Sequence, residues 1–544
     1  MKNVLIIGSG IAGLSCAIRC AENGVKALLI SPFPSERSQS VMAAGGINAV
    51  LSDFETGDSI ESHIEDTLRG GCGLSGEKAV SGLCHHAEEI IRRLEKIGTV
   101  FSIDEQGYLA KRAFGGQSHQ RTCYCGSSTG KQIVSALVME ARRYEANGVI
   151  TRRFWSCFHS ALIRDGKCYG ALLFDESTRK LETVYADAVV IATGGQNSVF
   201  GKTTGSTLCD GYVAGRLFMQ GVDLKNLEFI QYHPTTIETA QKRMLISEAV
   251  RGEGGRLFYK ENGSRVYFME TLYGSLGNLM TRDVVSREIF NTGKDVFLDI
   301  SFLDKKTIDS RLPEVRELCL KYKGIDIAKE PILVAPSVHF FMGGIAVHLN
   351  HETNIRDLFA IGECASMYHG ANRLGGNSLL AAIYGGMTAA DEISGRNNCG
   401  VKVDFTAQAE NENEALNKKM NNQSRFPVMY IRDMLAATMN SKLGIVRDEK
   451  ALNEGQKDVD YYLSVADKIN YDPSVQPYFN YSLTGILTLS KAILACAQNR
   501  NESRGAHFRS DYPERDQALC YSSIASYNDG DICVRFDKEC EYES

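Results

Sequence analysis

No run of 18 apolar residues occurs in the 544-residue sequence; the nearest approach, Leu483 to Ala497, carries Ser490 and Lys491 inside it. A membrane-spanning helix is therefore not expected. Blocks of like charge are also missing. With 60 Lys+Arg against 66 Asp+Glu and a formal net charge of -6, the chain lacks the footprint of a nucleic-acid binder. No CxxC pair occurs among the 16 cysteines, and no framework orders their spacing. An internal zinc ribbon or iron–sulfur cluster is not expected, and free thiols in a reducing compartment are. The N-terminal apolar run lacks a small-x-small cleavage site and is broken by three glycines, which argues against a signal peptide and for a cytoplasmic protein. Proline is scarce, at ten residues, below its average of about 5%.

What is abundant is glycine, at 51 residues, above an average of about 7%. With 43% hydrophobic and 23% charged residues, the chain has the balance of a globular protein, long enough for three or four domains of ~150 residues. Val4 to Ile7 is a short apolar run, followed by Gly8-Ser-Gly10-Ile-Ala-Gly13 and a helical pattern to Glu22. Strand, glycine turn and helix form the context in which GxGxxG binds a dinucleotide. The first glycine makes the turn, the second admits the pyrophosphate, and the third lets helix pack on strand. The helix N-terminus then carries the anion. The second strand, Lys26 to Ile30, ends in Ser31 where an acidic residue usually meets the ribose; a hydroxyl still offers a hydrogen bond there.

Ala188 to Thr193-Gly194-Gly195 and Leu358 to Gly362-Glu363 are further apolar strands ending in glycine, so the dinucleotide domain continues far downstream. The second of them leads through His369-Gly-Ala-Asn-Arg373-Leu-Gly-Gly-Asn-Ser378 into another helix. Residues ~225 to ~340 then read as an insertion. Beyond Asp404 the texture is helical, with 3- and 4-spaced apolar residues in Arg425 to Leu443, Glu454 to Ile469 and Tyr481 to Arg500.

The insertion concentrates polar motifs: Glu228-Phe-Ile-Gln-Tyr-His233-Pro-Thr, Ser247-Glu248-Ala-Val-Arg251-Gly-Glu253-Gly-Gly, Thr281-Arg282-Asp283 and Ser337-Val-His339-Phe-Phe-Met-Gly-Gly344. Taken singly, each is as well explained by a salt bridge or a core histidine. Together with Arg373 they suit a small dianion, because arginine offers carboxylate a fixed fork and histidine a tunable donor.

From Val4 to about Asp516, through these motifs and the Glu502 to Asp516 run ESRGAHxRxDYPERD, the chain resembles the flavoprotein subunits of succinate dehydrogenase and fumarate reductase, with L-aspartate oxidase a close relative. The resemblance implies an α/β architecture. A Rossmann-like FAD-binding domain (1–225 and 340–400) holds an inserted α+β capping domain (226–339), followed by a helical domain (401–516) and a short tail (517–544). By the same resemblance Arg282 protonates the substrate, Glu248 and Arg251 relay the proton, and His233, Ser247, His339 and Arg373 hold its carboxylates. Flavin contacts fall on Gly8, Gly10, Ile11, Ala12 and Gly13, on Ser31, Ser38, Gln39 and Ser40, and on Ala44, Gly45 and Gly46. Further contacts fall on Ala192, Thr193, Gly194, Asp210, Glu363, Asn377, Ser378 and Leu379. Hydride passes from reduced flavin to one alkene carbon of fumarate while a proton reaches the other.

Departures from the family pattern refine this. Covalently flavinylated members read Ser-His-Thr-Val where this chain reads Ser38-Gln39-Ser40-Val41, so noncovalent FAD is expected, and with it fumarate reduction over succinate oxidation. L-aspartate oxidases place a glutamate for the substrate ammonium where Phe114 stands before Gly115-Gly116; Phe114 favours an unaminated dicarboxylate, with L-aspartate oxidation as the alternative. The loop between Glu363 and His369 is one residue short of the family pattern, and Ser378-Leu-Leu-Ala-Ala replaces Ser-Leu-x-Glu. A displaced Arg373 clamp and a monocarboxylic acrylate acceptor are therefore also considered. Electrons are expected from a separate donor, an iron–sulfur subunit being one candidate.

Overall fold

The computed structural model describes residues 2–543 apart from 53–56, 127, 398–402, 422–426, 467 and 470. Its first strand, Asn3–Ile7, lies at the centre of a five-stranded parallel sheet in the order Leu358–Ala360, Ala188–Ile191, Asn3–Ile7, Lys26–Ser31, Ile150–Phe154. The three central strands are almost wholly buried apolar runs, as a parallel sheet covered on both faces requires. The strand at 358–360 is an edge of that sheet although the insertion separates it from its neighbour in sequence. Helix Ile11–Glu22 packs on helix Asn377–Gly395, where a Cβ on Gly386 would meet the Ala12 carbonyl oxygen at 2.7 Å.

The inserted region builds a six-stranded sheet with its own apolar core around Ile237, Leu257, Val285 and Val334. Its two long strands, Ile230–Glu238 and Ile332–Phe341, do not belong to the cap alone. Ile230, Val338 and Phe341 pack in the main core, whereas Ile237, Ile332 and Val334 pack in the second. This antiparallel pair thus bridges the two cores, and it places His233 and His339 at the junction.

The described part of the first C-terminal helix of the sequence reading runs Val428–Lys442; its expected start at 425, like the boundary drawn at 400, lies outside the described residues. The other two are Glu449–Ala466 and Leu483–Asn499. Leu435, Leu452 and Leu487 join the main core, so these helices share the apolar interior of the flavin domain.

Residues 517–543 of the expected tail are part of the fold. Ser523–Asn528 and Asp531–Phe536 form a hairpin that pairs antiparallel with Leu224–Lys225. The anchor is electrostatic. Glu228, fully buried, accepts from Arg500 Nε at 2.5 Å and from Ser523 Oγ at 2.7 Å, and Arg500 and Arg504 both donate to buried Glu502. The first half of the polar Glu502 to Asp516 motif, with Glu502, Ser503, Arg504, His507 and Arg509 buried, is therefore internal architecture, whereas 510–516 is exposed. Breaking one such buried pair costs about 3–5 kcal/mol, because it strands the other charge.

Candidate active site

Of the site residues named from the sequence, all but Gly13, Arg251 and Asn377 line one cavity of about 560 Å³ running from the first glycine turn to Arg373. Gly13 instead supplies close packing: a Cβ there would sit 1.9 Å from the Gly8 carbonyl oxygen. Asn377 is corrected from a cofactor contact to an internal strut, its Oδ1 accepting from Asn48 Nδ2 at 2.7 Å and paired with His63 Nε2 at 3.0 Å, its Nδ2 donating to Thr67. Arg251 lies behind Glu248 rather than on the wall.

At one end, Gly8 (φ +116°) faces the Ala192 carbonyl so closely that a Cβ would meet its oxygen at 2.2 Å. Any side chain there would push the turn off the sheet. The N-terminus of helix Ile11–Glu22 opens on this end, with Ser40 Oγ accepting from Ile11 N–H at 3.2 Å. Ser38 Oγ is buried on the wall without a partner, an orphan that a polar ligand would satisfy. Ser31 Oγ accepts from Phe33 N–H, and Asp210 binds Tyr212 N–H and Tyr478 OH. Glycine turn, helix N-terminus and orphaned hydroxyl together fit the pyrophosphate and ribityl parts of FAD. Gly46 (φ +140°) is small for another reason, since a Cβ would strike the Cys123 carbonyl oxygen at 2.5 Å.

At the other end the charges converge. Arg282, at the start of helix Arg282–Thr292, donates from Nε to Glu248 Oε2 at 2.9 Å and from Nη1 to Gln231 Oε1 at 3.0 Å. Arg373 donates from Nη2 to the same Gln231 oxygen at 3.0 Å and stacks its guanidinium over Phe340. The short loop after Glu363 thus still delivers Arg373 to the cavity. Gln231 carried no role in the sequence reading. Only its place within the His233 motif marked it.

Glu248 Oε1 accepts from Gly115 N–H at 3.0 Å and lies 3.6 Å from Arg251 Nη2. Burial works to raise its pKa, but Arg282, Arg251 and these hydrogen bonds outweigh it and hold the carboxylate below its usual range. Burial, with the charges of Arg282 and its neighbours, drives His233 and His339 well below 6.5, so both rings are neutral. They meet edge to face at 5.4 Å. His233 Nδ1 lies 3.2 Å from the Thr235 carbonyl oxygen and 3.3 Å from Thr235 N–H, so Thr235 holds this edge of the ring in either tautomer. Burial likewise raises Glu363 and lowers Arg373. Phe114 packs between two glycines, its ring 3.3 Å from a Cβ built on Gly45 and its Cβ 3.1 Å from one on Gly375.

Residues 3–379 match the family described as FAD binding domain. With the cavity's fit to that cofactor, the chain is an FAD-dependent oxidoreductase. Residues 432–540 match the Fumarate reductase flavoprotein C-term family. The chain is 36% identical to the succinate dehydrogenase flavoprotein subunit of Bacillus subtilis, over 95% of this chain and 92% of that one. It is 34% identical to the 8-methylmenaquinol:fumarate reductase flavoprotein subunit of Wolinella succinogenes, over 97% and 89%. An E. coli quinol fumarate reductase FrdA structure superposes with a TM-score of 0.90 at 31% identity, covering 98% of this chain and 96% of that one. The chain belongs to the succinate dehydrogenase and fumarate reductase flavoprotein family. No helix among the described residues is long and apolar enough to cross a membrane.

Proposed function

We propose that this chain interconverts fumarate and succinate and works as a fumarate reductase, with noncovalent FAD and with electrons drawn from a separate donor such as an iron–sulfur subunit. One observation carries the reading. Arg251 and Arg373 are buried and Arg282 nearly so around Glu248, the carboxylate that pairs with Arg251 and Arg282, while burial favours the neutral form of Glu363. The excess positive charge is what a dicarboxylate dianion neutralises.

In this mechanism Arg373, His233, His339 and Ser247 hold the two carboxylates. Neutral His233 offers a polar ring edge without adding charge, and Arg373 supplies the opposing cation. Clamping both ends flattens the choice of poses and polarises the double bond. The glycine turn and the 38–46 segment would hold FAD, which when bound would supply the hydride. Arg282 delivers the proton to the second carbon. An acid whose reference pKa exceeds ~12 acts only where the acceptor is strongly basic and water is excluded; the Arg282 side chain is 11% exposed. Glu248, ion-paired to it, restores the proton, and Arg251 fixes Glu248 from behind.

Gln39 supports the direction. It has no imidazole for a flavin bond, and its amide Nε2 lies 3.4 Å from the Thr204 carbonyl oxygen. Phe114 supports the substrate, since an aromatic ring offers an ammonium no carboxylate. The test is anaerobic: chemically reduced enzyme should be reoxidised rapidly by fumarate, and oxidised enzyme should not bleach with L-aspartate. Bleaching by aspartate would transfer the chain to aspartate oxidation.

A further inference from the structure

Gln117 lies outside the cavity wall, yet its side chain ties together the two loops that carry Phe114 and Arg373. Its Nε2 lies 3.0 Å from the Gly375 carbonyl oxygen, 2.9 Å from Asn48 Oδ1 and 3.1 Å from Thr122 Oγ1. Its Oε1 accepts from Phe114 N–H at 3.3 Å. Asn48 completes the junction, with Nδ2 donating to the same Gly375 oxygen at 2.8 Å and its backbone N–H to the Gly376 oxygen at 3.1 Å. Gly376 holds φ +86°, and a Cβ there would overlap Asn48 Oδ1 at 2.0 Å. The turn after Arg373 is therefore shaped by this amide pair, not by its own side chains.

We propose that Gln117 is a positioning residue for the dicarboxylate site, locking the Phe114 loop to the Gly375–Gly376 turn so that Arg373 and Phe114 stay in register across the substrate. The inference rests on the proposed dicarboxylate function. Two buried acceptors and a carbonyl crowd the Nε2 position, so a donor is required there. A carboxylate would face Gly375 O and Asn48 Oδ1 with no proton to give, whereas a neutral carboxyl would restore one donor. The anchor on the other flank is separate: Ser118 N–H and Oγ both bond to Asp66, which Arg121 also holds. Loss of the Gln117 amide thus frees the Phe114 side of the loop while its far side remains tied.

The experiment uses FAD-loaded full-length protein and malonate, a dicarboxylate with no carbon pair to desaturate, titrated by flavin difference spectra and calorimetry. Q117A should weaken malonate binding at least tenfold while flavin content and melting temperature stay near wild type. Q117E should bind malonate more tightly as pH falls from 8 to 6, because a half-buried carboxyl facing Gly375 O and Asn48 Oδ1 is pushed upward. The dependence should be steeper than in the wild type, in which Glu363 on the cavity wall, raised to about 7, titrates in the same window. Malonate binding by wild type matched by both variants would overturn the positioning role and leave the function standing. Absence of malonate and fumarate binding by wild type would instead overturn the function. Loss of FAD or of cooperative melting in both variants would assign Gln117 to the fold alone and also overturn the proposal.

Discussion

Arg282 presents Nε and Nη2 to a single oxygen of Glu248, Oε2, each at 2.9 Å. The pairing fixes the guanidinium plane, while Nη1 is held by Gln231. Glu248 is thereby placed to pass a proton to the group that faces the cavity; Arg282 and Arg251 hold it ionised at rest, so it acts as a relay for a proton that it first takes up from outside the pair.

Replacing Arg282 by alanine should lower fumarate-driven flavin reoxidation by about 10²–10⁴-fold, the range for loss of a positioned acid, with FAD still bound. Stopped-flow reoxidation of reduced protein reads this directly. Turnover within tenfold of wild type would remove Arg282 from the acid role.

Gln231→Leu should raise the Kd for malonate by roughly 10- to 100-fold. Two guanidiniums would lose one shared acceptor, at about 1–3 kcal/mol for each group left unsatisfied, and would repel one another unscreened. Calorimetry on the FAD-loaded variant measures it; an unchanged affinity would mean that each arginine is held independently.

Precipitation with trichloroacetic acid should leave yellow flavin in the supernatant. A yellow pellet after washing would show a covalent link through some residue other than Gln39.

Acid should weaken the fold between pH ~6.5 and ~4. Burial pushes His63 and His351 each down to about 4, so the unfolded chain takes up protons in that window that the native chain refuses. Stability is then full above pH ~6.5 and falls on acidification, by at most roughly 1.4 kcal/mol per pH unit for each histidine. Denaturant titrations at pH 7, 6 and 5 should show the decline, and His351→Gln should make it shallower. A flat profile would contradict the neutral burial of these rings.

The glycine turn was legible because its chemistry is local: Gly8 and Gly13 sit where a Cβ has no room, and strand, turn and helix follow one another in sequence. Arg282, Glu248, His233 and His339 were legible only through long motifs, since nothing in spacing alone brings positions 233 and 339 together. The strand pair 230–238 and 332–341 does that. Gln231 and Gln117 went unread because an amide has no distinctive pattern; its role is set by which acceptors surround it. The terminal hairpin was missed for a related reason. Short strands at 523–528 and 531–536 carry a weak alternation, and their partner lies some 300 residues earlier, at Leu224–Lys225.

By itself the sequence determined the dinucleotide turn, the absence of a flavin-linking histidine at Gln39 and the inventory of cations for an anionic substrate. These are properties of residue type and near neighbours. Tertiary structure decided which cations converge, that Arg251 and Asn377 stand behind the wall, that Glu502 and Arg504 belong to a buried ionic brace, and that Gln231 joins the two arginines. Those outcomes depend on long-range strand pairing and on burial, which sets how strongly each charge is felt and which protons are held.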